Sequence, residues 1–527
     1  SITTGYLNVI IGYQAADSSL TGTSNVIIGA RSLGTADGAE KNNVCIGSDV
    51  MASVNNDKAD SNIAIGNDSL TGGTGGLLGN IAIGVNALNS TAGNNQTGSI
   101  AIGHGVLTAL TSGHSNVAIG YEAGRAITTS NQNVALGWYA LREHVGGGSN
   151  IAIGPNAMDE TAGSNAAASA YNIAIGRDAL GGDWANATSN SNIAIGAFAM
   201  DSVLNDADSN IGIGYSVLSE LTTGDNNVAI GQEALGSLTE GLNNVAIGYD
   251  AAKAMTTANR NIAIGFEALR TEDADGDRTT AIGYQALYSQ NGTTEAMANT
   301  GLGYNTGYYN VTGTNNTYVG YLTGVGASGQ SNQYNTGVGA TALKSITDGG
   351  FNVALGSRAG EDLTTGDFNV YVGDYAGHSS VDVDRTVAIG HEAMGSGIVT
   401  SDGDGTVAIG YTALADMTTG QYNVAVGYEA MLSETQGDRN TAVGYHALKD
   451  QNGVNGEVHN TAVGYIAGHN ITTGKSNTVL GSEAGTALTT ASQSICIGRT
   501  AGNTISTGNQ NIAVGFGAMS NNTVTGD

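Results

Sequence analysis

The stretch Asn116-Val117-Ala118-Ile119-Gly120-Tyr121-Glu122-Ala123 recurs along the whole chain, for example as Asn227-Val228-Ala229-Ile230-Gly231. Counted by its glycine, the motif has 29 copies, from Gly12 to Gly515. Of the 28 intervals between these glycines, 16 are 17 residues long and the others are 18 to 22 residues long. A fixed period of this kind indicates a repeat architecture, with 17 residues as its smallest unit.

Each repeat has the composition of a short strand followed by turns. Val117 and Ile119 alternate with Ala118, a period of two that favours a strand. Gly120 permits a corner, and Tyr121 to Ala123 is expected to form a second extended piece before a polar turn. Repeats that contain helices need roughly 20 to 50 residues. We therefore predict an all-β fold, a parallel β-solenoid (β-roll) of about 29 coils with a 17-residue basic repeat, in which residues 1–527 form a single continuous array without a separate globular domain.

An asparagine precedes the strand in 24 of the 29 copies, and the other five copies have serine or threonine there. Asparagine accepts unusual backbone angles, and stacked asparagine side chains form hydrogen-bonded ladders. We predict a structural ladder at this position.

The prediction that the chain forms a homotrimer rests on the middle residue of the strand. It is alanine in 19 copies, glycine in three and cysteine in two, although a solvent-facing strand surface is normally polar. We expect Val117 and Ile119 to pack inside their own coil and the alanines to meet a neighbouring chain in a homotrimer. The predicted interface residues are Ala118, Ala135, Ala229, Ala246, Ala263, Ala425 and Ala442. The alternative is a monomeric solenoid with an internal apolar layer.

Composition excludes several classes of protein. The net charge of −28 argues against nucleic acid as a partner, since binding its backbone needs clustered basic residues. No apolar run approaches the roughly 20 residues of a membrane span. The two cysteines, Cys45 and Cys496, lie about 26 repeats apart in the sequence, too far for a disulfide bond within one chain.

An aromatic residue follows the glycine in 14 copies, including Tyr13, Trp138 and Tyr428. We expect these rings to pack between chains, and the alternative is that they bind sugar rings. The motif Asn-Val-Ala-Ile-Gly-Tyr-x-Ala resembles the Ser-Val-Ala-Ile-Gly head repeat of trimeric autotransporter adhesins, and the Thr-Thr-Gly turns resemble repeats of phage tail fibres. The resemblance covers essentially the whole chain. It implies a left-handed trimeric β-roll located outside the cell, on a cell surface or on a virion.

One stretch has the composition of a cation site. Asp273, Asp275 and Asp277 alternate like the beginning of a calcium-binding loop, although the closing glutamate is missing because residue 284 is tyrosine. Calcium is the one cofactor that the sequence suggests, and the alternative is a solvated acidic loop.

These patterns predict a non-enzymatic structural fibre protein that forms a stiff extracellular or virion-associated rod. The expected partner is a further copy of the chain, laterally and also end to end, because the ends of a solenoid are unpaired strand edges. The alternative is an adhesin that binds a cell-surface receptor or a glycan through loops and aromatic residues. Paired threonines such as Thr222-Thr223 occur in too few copies to favour an ice-binding surface.

Overall fold

The computed structural model describes residues 5–18, 21–35, 39–54, 58–72, 75–90, 95–161, 168–184, 187–273, 276–292, 297–452 and 455–521. It contains two compact units, Ser1–Asn261 and Ile262–Asp527. Each unit is a parallel β-solenoid, which confirms the predicted fold class. That residues 1–527 form one continuous array stays a prediction.

The first unit has one three-residue strand in each coil. Its described residues include the strands Val9–Ile11, Val26–Ile28, Val44–Ile46, Ile63–Ile65, Ile81–Ile83, Ile100–Ile102, Val117–Ile119, Val134–Leu136, Ile151–Ile153, Ile173–Ile175, Ile193–Ile195, Ile211–Ile213, Val228–Ile230 and Val245–Ile247. Each strand pairs in parallel with the strands of the adjacent coils, so that equivalent residues lie beside each other, as Ala118 lies beside Ala135. Leu77–Leu78 and Gln96–Thr97 form a small additional parallel pair.

The second unit repeats this arrangement. Its strands are Ile262–Ile264, Thr280–Ile282, Thr300–Leu302, Thr317–Val319, Thr336–Val338, Val353–Leu355, Val370–Val372, Val387–Ile389, Val407–Ile409, Val424–Val426, Thr441–Val443, Thr461–Val463, Thr478–Leu480, Ile495–Ile497 and Ile512–Val514. Gly437–Asp438 pairs with Gly456–Glu457, and Ser401–Gly403 is a single turn of 3-10 helix.

The middle residue of each strand points into the coil, which reverses the predicted orientation. Ala118, Ala135, Ala229, Ala246, Ala263, Ala425 and Ala442 are at most 1% exposed within the single chain. The residues on either side of them are half-buried or exposed. The prediction that these alanines form the interface with a second chain is therefore wrong, because the chain's own core already covers them. The internal apolar layer proposed as the alternative is what the chain forms.

The turn after the corner glycine explains why only small residues fit inside. In each turn, two residues with a left-handed backbone conformation lie on either side of a buried alanine. Glu122, beside Ala123, and Leu141, beside Ala140, are such residues, with φ near +50°. The expected second extended piece is thus a turn. This turn directs a leucine, such as Leu141, into the core beside the strand alanine. The leucines fill the interior and leave room only for a small side chain on the strand.

Two coils show that the core volume is conserved. Tyr371 replaces the strand alanine and is fully buried, and glycines occupy the leucine position next to it. A Cβ atom added to Gly377 would lie 2.4 Å from the Tyr371 ring, and one added to Gly360 would lie 2.7 Å from it. Tyr318 is accommodated in the same way beside Gly324. A tyrosine on the strand is therefore accommodated by glycine in the turn.

The corner glycine is required by backbone contact. Gly120 has φ of +146°, and a Cβ atom on it would lie 2.1 Å from the carbonyl oxygen of Gly137 in the next coil. Equivalent contacts occur at glycines along both units. No other residue permits the coils to stack at this corner.

The predicted asparagine ladder is confirmed, and it lies inside the coil. Asn227 donates from its backbone N–H and from Nδ2 to Oδ1 of Asn210, at 3.0 and 3.1 Å. Its Nδ2 also donates to the carbonyl oxygen of Gly241 at 2.8 Å. Each asparagine thus joins neighbouring coils and satisfies a buried turn carbonyl.

We predict that Ala229→Glu will destabilise the coil itself by at least about 3 kcal/mol, because it places an unpaired carboxylate in an apolar core. The matched control is Val228→Thr on the outer face, where threonine occurs naturally in other coils, and we expect it to change stability by less than about 1 kcal/mol. Thermal unfolding followed by circular dichroism measures both. An unchanged transition for Ala229→Glu would contradict the inward orientation.

We predict that Asn227→Leu will leave the Asn244 amide and the Gly241 carbonyl without partners and will destabilise these coils by about 2–4 kcal/mol. Asn227→Thr should have a smaller effect, since threonine occupies this position in other coils. Hydrogen exchange at the Asn244 amide reports the loss directly. Equal protection of that amide in wild type and Asn227→Leu would show that the ladder bond does not stabilise the stack.

Candidate functional surface

The predicted calcium loop is only partly described. Asp275 lies outside the described residues, and Oδ2 of Asp273 accepts a 3.4 Å hydrogen bond from Nδ2 of Asn291. Asp277 is 9% exposed. Within the described ranges, no group of three or more His, Cys, Asp or Glu side chains is arranged to hold a metal ion. Calcium binding stays a prediction.

The neighbouring Glu272 has a structural environment that the sequence did not indicate. It is fully buried, and it accepts hydrogen bonds from Nε2 of Gln290 at 3.0 Å and from the Gly292 amide at 3.1 Å. Burial raises the pKa of this carboxyl. Oε1 of Gln290 in turn accepts from Nδ2 of Asn299 at 3.0 Å.

The same module occurs a second time. Glu434 accepts from Nε2 of Gln451 at 2.5 Å and from the Gly437 amide at 2.7 Å, and Asn460 donates to Gln451 at 3.1 Å. Both modules occupy a core position that other coils fill with a buried aliphatic residue, such as Leu110. In the sequence, both modules are marked by a glutamate at this position and a glutamine at the same position of the next repeat. They bond the coils together and are closed to solvent.

His144 occupies this core position in another coil. Its Nε2 lies 2.9 Å from the Gly147 carbonyl oxygen and 3.2 Å from Nδ2 of Asn150, and its Nδ1 lies 3.0 Å from the Thr161 hydroxyl. Desolvation of the buried ring lowers its pKa from 6.5 to about 4, against a smaller opposing effect of the Gly147 bond. The imidazole is therefore neutral in the folded chain at neutral pH.

The outer face of the strands is the feature of the surface that most needs an explanation. It consists of the first and third residues of every strand, which we call the outer strand columns. All 28 of these positions in the first unit are Val, Ile or Leu, and the 30 in the second unit are aliphatic except for seven threonines. Side chains on this face remain accessible, with Ile119 40% and Leu302 43% exposed. None of the 58 positions carries a charge, although the chain as a whole has a net charge of −28.

The charged side chains lie elsewhere on the coil. Arg125, which follows the turn, contacts Glu122 at 3.4 Å and Glu143 of the next coil at 2.5 Å. Lys449 likewise contacts Glu429 of the coil before it at 2.5 Å. The coil thus separates a charged surface from an uncharged, aliphatic one.

Two further columns border the outer strand columns. The residue after the corner glycine forms the post-glycine column, and the residue before the asparagine position forms the pre-asparagine column. In the second unit the post-glycine column stacks its rings from coil to coil. His391, Tyr411, Tyr428, Tyr445 and Tyr465 form one row, with ring centroids 5.0 to 5.3 Å apart and planes within 15° of parallel.

A second row occupies the other border of the face. Tyr334, Phe351 and Phe368 of the pre-asparagine column stack at 4.7 and 5.0 Å. In both rows, neighbouring rings cover one another's faces, so the edges of the rings point to solvent. Rings stack on sugars through their faces, and these faces are already occupied along each row.

The threonine at the first position of the polar turn uses its hydroxyl within the chain. Thr222 donates through Oγ1 to the Thr239 carbonyl at 3.0 Å, and Thr239 donates to the Thr256 carbonyl at 3.1 Å. The hydroxyls are used to join coils.

The chain matches no protein-family model and no curated protein. Among the described residues, no helix is long and apolar enough to cross a membrane.

We predict that stability will fall between pH 6.5 and pH 4 because of His144. The unfolded histidine takes up a proton near its ordinary pKa of 6.5, whereas the folded one resists protonation down to about 4. The stabilisation is fully present above 6.5 and is lost as the pH falls through this window, by about 3 kcal/mol in total.

The measurement is the unfolding temperature between pH 7.5 and 4 for wild type and for His144→Gln, which cannot titrate. The variant should lose less stability on acidification than wild type. His459→Gln, at an exposed position, is the control and should behave like wild type. Identical pH profiles for wild type and His144→Gln would contradict the assignment.

Proposed function

We propose that this chain is a non-enzymatic structural protein whose solenoid units associate laterally, through the outer strand columns, into a stiff fibre. The observation that carries the proposal is the aliphatic, uncharged face that follows the strands through each unit. Parallel sheets are normally covered on both sides, and here the chain covers one side only.

The size of this face supports a partner of equal length. At roughly 50 Å² of accessible surface per half-buried aliphatic side chain, the 23 aliphatic positions of the second unit expose on the order of 1,100 Å². Contiguous apolar patches on monomeric proteins rarely exceed about 300–600 Å², and a stable interface buries about 800 Å² on each partner. The face is therefore large enough for a permanent interface.

A second copy of the chain is the partner that fits best. The face is built from identical positions in every coil, so another solenoid with the same strand spacing can contact it along its whole length. The charge of −28 is confined to the other surfaces, so two such faces approach without bringing like charges into contact. A homotrimer, as the sequence resemblance implies, is one assembly that covers the face.

The fibre would gain its stiffness from continuous contacts between coils. Backbone hydrogen bonds, the asparagine ladder and the stacked rings all run along the stacking direction, so bending breaks several kinds of contact together. A location outside the cell or on a virion follows from the resemblance to adhesin heads and tail fibres. End-to-end association and calcium binding by the Asp273 loop remain predictions from the sequence.

Glycan or receptor binding is the second candidate function. Exposed tyrosines, such as Tyr321 at 56% and Tyr465 at 53%, supply phenolic groups that could hydrogen-bond to sugars from the ring edge. Binding of labelled oligosaccharides on an array, abolished by Tyr→Phe changes along one row, would favour an adhesin.

We predict that the mass of the purified protein in solution, measured by light scattering, is at least twice the 52.8 kDa of one chain. Ile230→Asp combined with Ile247→Asp places charges on the outer face and should reduce the mass to that of one chain while circular dichroism stays unchanged. Ile230→Thr with Ile247→Thr is the matched control and should still associate. A wild-type mass of one chain would contradict lateral association.

A further inference from the structure

The two columns that border the outer face rarely carry a Phe or Tyr in the same coil. In the eleven coils from Thr280–Ile282 to Thr461–Val463, nine carry a Phe or Tyr in one of the two columns but not in both. The post-glycine column has the ring at Tyr284, Tyr304 and Tyr321.

The pattern then switches sides for three consecutive coils. The pre-asparagine column has Tyr334, Phe351 and Phe368, and the post-glycine column of the same coils has the smaller Ala340, Ser357 and Asp374. In the coil Val407–Ile409 the ring is again in the post-glycine column, as Tyr411, and the pre-asparagine residue of that coil is Gly405.

These pairs are not in contact within one chain. The two border positions of a coil are six residues apart, on either side of the strand, as Tyr334 and Ala340 are. Along an extended backbone this separation is roughly 15–20 Å. Both positions are exposed, so packing inside the chain gives no reason for their complementary sizes.

The direction of a partner decides which columns meet. If a second solenoid runs in the same direction, the rotation that brings its outer face against the first places post-glycine residues opposite pre-asparagine residues of the same coil. If it runs in the opposite direction, each column meets itself. Only the first arrangement places the two borders of the same coil opposite one another. It sets a Phe or Tyr against a residue of another type in nine of the eleven coils, and it sets Tyr422 against Tyr428 in the coil Val424–Val426.

We propose that the outer face seats a second copy of this chain running in the same direction and at the same level, with the post-glycine column of one copy against the pre-asparagine column of the other. This inference rests on the lateral association proposed above and specifies its direction and register.

The change of the rings from one column to the other would fix the register of the two copies. The outer strand columns are nearly identical in every coil, so they alone would allow a partner to slide by one coil, about 4.8 Å. A slide at the switch points would bring rings against rings, as when Tyr321 meets Tyr334, and would leave small residues opposite one another. The side switch therefore selects one alignment.

Engineered disulfides test this geometry. Ser476 and Ser482 are the border residues of one coil, both accessible and both small. They are too far apart within a chain for a disulfide, which needs Cα atoms within about 7 Å. In the proposed assembly, Ser476→Cys of one copy meets Ser482→Cys of its partner.

The background carries Cys45→Ala and Cys496→Ala, which remove the two buried native thiols. The matched control is Ser476→Cys with Ser357→Cys, whose coils are seven steps apart in the stack, or about 34 Å. After mild oxidation with oxidised glutathione, we expect the same-coil pair to give reducible covalent oligomers at least ten-fold more abundant than the control pair.

Light scattering on the same samples separates the two proposals. If the chains associate but the same-coil pair forms no more disulfide than the control, the parallel, same-level geometry is overturned while lateral association stands. If the mass is that of one chain, both proposals fail.

Discussion

The structure depends on how little space the coil encloses. Corner glycines such as Gly120 bring the backbones of adjacent coils so close that a single Cβ atom would collide with the next carbonyl oxygen. Inside this narrow section, turn leucines, strand alanines and asparagines fill the core. Large strand residues must therefore face outward, which produces an aliphatic surface that a chain of this charge would not otherwise expose.

The repeat period and the strand pattern were sufficient to predict the fold class. The 17-residue interval excluded helical repeats, and the asparagine before Val117 correctly indicated a ladder. The direction of the strand could not be predicted in the same way. Both Val117 and Ala118 are apolar, so a period of two shows that the strand has two faces without showing which one is inside.

The missing information lay in the turn. Leu141 and its equivalents follow the corner in left-handed conformations that a sequence pattern does not reveal for leucine, because this region is uncommon for it. These leucines supply the bulk of the core and restrict the strand to alanine. The same reasoning explains Tyr371, where two turn glycines free the volume for a ring. His144 and Glu272 lie in the same core column, where their neighbours on adjacent coils satisfy them.

The central claim is that another copy of the chain covers the outer strand columns. Mass per unit length along the stack, from scanning transmission electron microscopy of unstained particles, tests it without depending on particle length or on end-to-end association. One chain contributes about 18 residues per 4.8 Å, or roughly 0.4 kDa per Å. The account predicts an integral multiple of this value, two or more. A value equal to that of a single chain would leave the aliphatic face open to water and would contradict the account.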